Sequence, residues 1–168
     1  MKTKPDRSKM KNWFVLNTKP KKEFQVERLF EEGGFEFYCP KYKHGDKIKP
    51  FFSGYGFINF DHPEQYRLVK YTRGVKRIVG NEGGPIPIPE EMIDQIKVRE
   101  INGYIELEKY GGQPDIGDEI EIMEGPLKGL RGIFRKELTE KERVIILLNY
   151  VSYQGQLIIE KKKLKKVI

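Results

Sequence analysis

Only one cysteine, Cys39, occurs in the 168 residues, so no internal disulfide can form. With only His44 and His62 beside it, the chain lacks the ligand spacing of a structural zinc site, and a protein without metal or cofactor is expected. No run approaches the roughly 20 apolar residues that a membrane-spanning helix needs, and the first twelve residues alternate lysine with polar residues where a leader would carry an apolar centre. A cytoplasmic protein with no membrane partner is the expectation. Material for nucleophilic catalysis is scarce, because a nucleophile needs a base that a third group orients. The carboxylates Glu90 and Glu91 are neighbours in a first helical turn, where they serve the helix dipole. "GNEGGP" lacks the Lys-Ser/Thr of a phosphate loop and reads as a turn. No enzyme is expected, and there is neither an internal repeat nor a low-complexity tract.

Apolar residues make up 38% of the chain, aromatic residues 12% and charged residues 34%, which suits one modest domain or two small ones. The formal charge of +7 is concentrated at the ends: residues 1–12 carry +4 and residues 160–168 another +4, leaving −1 for everything between. A high pI is therefore poor evidence of nucleic-acid binding, whereas local clustering is better evidence. Lys41, Lys43, Lys47 and Lys49 stand around His44 against Asp46 alone, and Arg67, Lys70, Arg73, Lys76 and Arg77 stand with no acid between them. Each group is either a phosphate-facing patch or plain solvated surface.

Trp13 to Thr18 ("WFVLNT") predicts a strand buried on both faces. A helix follows, with Thr18 as candidate cap and Phe24, Val26, Leu29 and Phe30 as its apolar face, ending at Gly33-Gly34. "FEFYCP" predicts a second strand with Cys39 as a buried structural thiol, 41–50 an exposed hairpin or loop, and "FFSGYGFINF" a strong strand. Strict alternation there would put Phe51, Ser53, Tyr55 and Phe57 on one side and Phe52, Gly54, Gly56 and Ile58 on the other. Either all these rings are core, or the glycines let a helix pack closely beneath while Tyr55 and Phe57 stay outside as a contact patch. A short helix after Pro63, a strand at "VKRIVG" and a helix from Glu90 to Val98 behind Pro89 complete an α/β sandwich over 11–98, an antiparallel sheet flanked by helices. Residues 1–10 form a basic tail.

From 99 to 116 periodicity fades among glycines and Pro114, as in a linker. From 117 the pattern turns to short strands: "DEIEIM", "GLRGIF" after the turn Gly125, Pro126, Lys128, Gly129, then "RVIILLNYV" and "QLIIEKKKL". The β-branched run 143–151 predicts strand and not helix, and residues 117–168 predict a small β-barrel; the fold class is α+β.

Over nearly its whole length the chain resembles the NusG family of transcription elongation factors. "WFVLNTKPKKEFQVERLFEE", "FFSGYGFINFD" and "TRGVKRIVGNEGGPIPIPEEMI" match its N-terminal domain, and "GDEIEIMEGPLKGLRGIF" matches its KOW barrel. The resemblance implies a monomeric elongation or antitermination factor that docks on the clamp helices of RNA polymerase and suppresses pausing or termination. Carried over by position, Trp13, Phe14, Phe52, Tyr55 and Phe57 would form the polymerase-binding surface. "TRGV" is similar to specialised paralogues of the LoaP, RfaH and UpxY kind, which act on particular operons. By that likeness Lys19, Thr72 and Arg73, with Lys76 and Arg77 and the loop residues Lys41, Lys43 and His44, would face non-template DNA or a nascent RNA hairpin. The KOW barrel would contact a ribosomal protein, a termination factor or RNA. A ribosome-associated RNA-binding protein using that barrel is the alternative, against which the N-terminal aromatics speak.

Overall fold

The computed structural model describes residues 11–105, 119–121, 131–133 and 140–165, with side chains described over 11–105 and 143–156. In chain order the elements are β1 (Lys11–Thr18), α1 (Glu23–Glu32), β2 (Glu36–Tyr38), β3 (Lys41–His44), β4 (Lys47–Pro50), β5 (Tyr55–Asp61), α2 (Tyr66–Lys70) and β6 (Val75–Ile78). There follow β7 (Gly80–Asn81), β8 (Gly84–Pro85), α3 (Glu90–Lys97), β9 (Glu100–Ile101), β10 (Tyr104–Ile105), β11 (Glu119–Glu121), β12 (Arg131–Ile133) and α4 (Glu140–Lys165). The expected basic tail 1–10 and the turn residues Gly125, Pro126, Lys128 and Gly129 lie outside the described residues.

The central sheet has four antiparallel strands in the order β2-β5-β1-β6. Strand β1 alternates as its composition requires. Trp13 and Val15 enter one apolar cluster, while Phe14 and Leu16 enter another on the opposite face. The second cluster is roofed by α1 through Val26 and Phe30 and by α2 through Val69. The first is roofed by α3 through Met92, Ile93 and Ile96, and by α4 through Leu147 and Val151. Helix α1 has Lys22, not the expected Thr18, at its N-cap position, since Thr18 is still buried in β1; Glu23 supplies the acid of its first turn and Gly33 ends it.

Three differences from expectation have physical causes. Strand β5 begins only at Tyr55, because Phe51–Gly54 turn, with Gly54 at φ +79°. Strict alternation across 51–58 is thereby broken, and Phe52 and Phe57 enter the same cluster. Gly56 makes room for a ring and not for a helix: a Cβ there would stand 2.4 Å from Cζ of Phe37 on neighbouring β2. The folded unit also continues past residue 98. The β9–β10 hairpin buries Ile105 in the first cluster, and the Tyr38 hydroxyl donates a hydrogen bond to the Glu100 carboxylate, which ties the expected linker to the sheet.

The largest difference concerns the expected barrel. Strands β11 and β12 pair antiparallel, Glu119 opposite Ile133 and Glu121 opposite Arg131, as "DEIEIM" and "GLRGIF" predict. "RVIILLNYV" and "QLIIEKKKL", expected as the next barrel strands, are instead the continuous helix α4. The cost of helical φ/ψ for a β-branched run is a few tenths of a kcal/mol per residue, and burial of Leu147 and Val151, at roughly 1.5–3 kcal/mol each, exceeds it.

Candidate functional site

The sheet face beneath α3 and α4 is built on a clamped turn. The amide of Gly54 donates to the Glu23 carboxylate at 2.8 Å, and its carbonyl accepts from Asn17 Nδ2 and from the Thr18 amide, each at 2.8 Å. The Phe51 amide donates to the Pro40 carbonyl at 2.7 Å. So held, Phe52 packs edge-on against Phe57 with centroids 5.8 Å apart and against Phe51 at 4.9 Å. Tyr38 stacks on Phe57, and the Lys97 ammonium lies 5.5 Å from the Trp13 ring and 5.2 Å from that of Tyr38. Burial, then the hydrogen bond from Tyr38 to Glu100 and the charge of that carboxylate, push the phenol far above its ordinary range, so this tether keeps its proton.

Helix α4 crosses this face with a buried residue at every fourth position: Arg143, Leu147, Val151 and Gly155. Val144, Leu148 and Tyr150 pack at its flanks. Gly155 lets the helix come close, since a Cβ would stand 2.9 Å from Cδ1 of Ile86. Burial, then the charge of Glu91 on α3, raises the Tyr150 phenol. Arg143 donates from Nε to the Phe51 carbonyl at 2.6 Å, and its guanidinium carbon lies 4.4 Å from the Phe51 centroid and 5.0 Å from that of Tyr42.

Sequence reasoning placed Trp13, Phe14, Phe52, Tyr55 and Phe57 on one outward surface. The structure unites Trp13, Phe52 and Phe57 with Tyr55 on a single face, but roofs them: Phe57 is 0% exposed, Phe52 1% and Trp13 3%, and Tyr55 is half-buried. Phe14 belongs to the opposite face, its ring tilted against that of Phe60 with centroids 4.7 Å apart, because neighbours in a strand point to opposite sides. Tyr42, Phe51 and the α4 residues were missed; the four-residue ladder Arg143, Leu147, Val151, Gly155 was the available signal, hidden by a run that is apolar in every register. Chemically the face binds a helix: aromatic floor, aliphatic contacts in the middle, a cation at one end.

The expected nucleic-acid residues fall into two groups. Lys41 is not available, for it is half-buried and paired with Glu27 at 2.7 Å. Lys43 and His44 are exposed on the hairpin after edge strand β2, with the Lys43 ammonium 4.4 Å from the Tyr104 ring. Lys19, Arg73, Lys76 and Arg77 are exposed along the β1–β6 edge, where the Lys19 amide donates to the Gly74 carbonyl and Asn17 stands opposite Arg77. Thr72, beside them, turns its hydroxyl back to the Leu68 carbonyl at 2.7 Å. Cys39 is buried, and burial pushes its thiol up to about 12. Among the described residues no group of three or more His, Cys, Asp or Glu could hold a metal, and no helix is long and apolar enough to cross a membrane.

The family model described as "Transcription termination factor nusG" matches residues 11–97. Among solved structures, the chain is similar to one titled "Domain interaction in Thermotoga maritima NusG", at 21% identity and a TM-score of 0.51, covering 74% of this chain and 79% of that one. A chain of the "MjSpt4:Spt5 complex conformation B" is similar at 20% identity and a TM-score of 0.31, covering 72% and 73% respectively. A search of curated proteins found no match.

Proposed function

This chain belongs to the NusG family, and from that premise we propose that it is a transcription elongation factor that binds the clamp helices of RNA polymerase through the Trp13, Phe52, Tyr55 and Phe57 face. One observation carries the reading: that face already accepts a helix, and the helix comes from a segment remote in sequence. Helix-in-groove recognition with aromatic anchors is the matching binding mode. Polymerase and α4 cannot share the face, so the chain binds only as α4 leaves, and affinity is reduced by the fraction of time the helix is docked. Once undocked, Leu147 and Val151 lose the burial that favours helix, and the β-branched composition of this segment suits completion of the KOW barrel with β11 and β12. Bridging the clamp then favours the elongating conformation by differential binding and suppresses pausing or termination.

The exposed Lys19, Arg73, Lys76 and Arg77 edge suits phosphate contact with non-template DNA or a nascent RNA hairpin, which would give operon preference. The test uses the full chain with Leu147→Asp and Val151→Asp, two changes that burial on the face will not tolerate. This released chain is expected to bind the polymerase clamp-helix region at least tenfold more tightly than wild type, and adding Tyr55→Ala is expected to reverse the gain. Absence of binding by the released chain, or indifference to Tyr55→Ala in a chain with unchanged thermal unfolding, removes the reading.

A further inference from the structure

At one end of the helix-binding face sits a small site with its own chemistry. Tyr42 and Phe51 meet at 85° with centroids 6.5 Å apart, and between them the Phe51 carbonyl points at the guanidinium of Arg143. The whole Arg143 residue is 5% exposed, and its guanidinium lies against two ring faces while Nε donates to the Phe51 carbonyl. Both walls also have contacts within the sheet domain. Phe51 is fixed by its amide bond to Pro40 and its edge contact with Phe52, and Tyr42 by pairing with Lys49 in the β3–β4 hairpin. A planar guanidinium can lie against the rings and donate to the carbonyl at once, which an ammonium cannot do equally well. One helical turn on, Leu147 enters the aliphatic cluster, so the site reads a residue at a set spacing from the apolar contacts.

We infer that Tyr42, Phe51 and the Phe51 carbonyl form a guanidinium-binding site that selects an arginine four residues before the aliphatic contact of any helix docked on this face. Arg143 occupies it while α4 is docked. An arginine of the polymerase helix takes its place when α4 has left, a step that rests on the function proposed above.

The test uses the full chain carrying Leu147→Asp and Val151→Asp, and as probe a synthetic peptide of residues 140–156 with the native leucine and valine. The native peptide is expected to bind, its Arg143→Ala version at least tenfold more weakly, and its Arg143→Lys version between the two. Equal binding of the native and alanine peptides overturns the site. In the otherwise native chain, Arg143→Ala is expected to lower hydrogen-exchange protection across 143–155 about tenfold or more while leaving β1 and β5 unchanged; undiminished protection of α4 also overturns it. Tyr42→Leu in the released chain is expected to weaken clamp-helix binding several-fold. If the released chain binds the clamp helices but ignores Tyr42→Leu and the peptide arginine, the site falls and the proposed function stands. If the peptide requires its arginine but the clamp helices do not bind, the site stands and the proposed function falls.

Discussion

The two faces of the central sheet are roofed by helices of different kinds. The α1/α2 face is covered by segments that follow their strands directly, and its cluster of Phe14, Leu16, Val26, Phe30, Phe37, Ile58, Phe60 and Val69 is closed by local chain. The α3/α4 face takes part of its roof from a helix that begins 35 residues beyond Ile105 and whose composition favours strand. Equal burial therefore conceals unequal roles. On the function proposed above, one face is core, whose loss unfolds the domain, and the other is a docking surface, whose cover can leave with a limited cost.

The largest effect comes from cutting matched holes in both. Phe60→Ala is expected to cost about 3–5 kcal/mol and to lower the melting temperature of the whole sheet domain. Leu147→Ala, at an equally buried position, is expected to release α4 and leave the melting of β1 and β5 nearly unchanged, as followed by hydrogen exchange. A global destabilisation by Leu147→Ala equal to that of Phe60→Ala would erase the distinction between the faces.

A smaller effect is expected from Gly56→Ala. The added methyl would overlap the Phe37 ring on the core face, and about 1–3 kcal/mol of destabilisation should appear as a lower denaturant midpoint with unchanged slope. Helix α4 should stay docked, because the strain lies on the other side of the sheet.

The smallest effect at neutral pH belongs to Cys39, also on the core face. Its folded-state thiol is raised to about 12 against an unfolded value of about 8.5. The unfolded chain thus binds fewer protons between these values, so this contribution to stability is complete below about pH 8.5 and is lost as pH rises toward 12. Alkylation at pH 8.5 should be slow in the native protein and equally slow in the Leu147→Asp, Val151→Asp chain. Faster alkylation on release of α4 would show that the two faces open together.

Legibility followed the same division. The run from Trp13 to Thr18, the α1 apolar positions ending at Gly33 and the Pro89-Glu90-Glu91 start of α3 announce themselves, since local pattern and tertiary role agree. The ring set of the site was legible in its members Trp13, Phe52, Tyr55 and Phe57, but not in their exposure, and Phe14 was assigned across the sheet from its true face. Helix α4 was illegible because Ile145, Leu148 and Tyr153 make the segment apolar on its exposed and flanking sides as well as along 143, 147 and 151. No 3.6-residue period survives, and tertiary burial overrides propensity. The contact between Phe51 and Arg143 leaves no local trace in the sequence, since 92 residues separate them.

Because α4 and the surface it covers are parts of one molecule, occupancy of that surface is a unimolecular equilibrium. Diluting or overproducing the protein leaves the closed fraction unchanged, so cellular abundance of the factor cannot by itself open it. On the function proposed above, opening answers only to how much of the competing helix is within reach and how well that helix reproduces the contacts of the occupant.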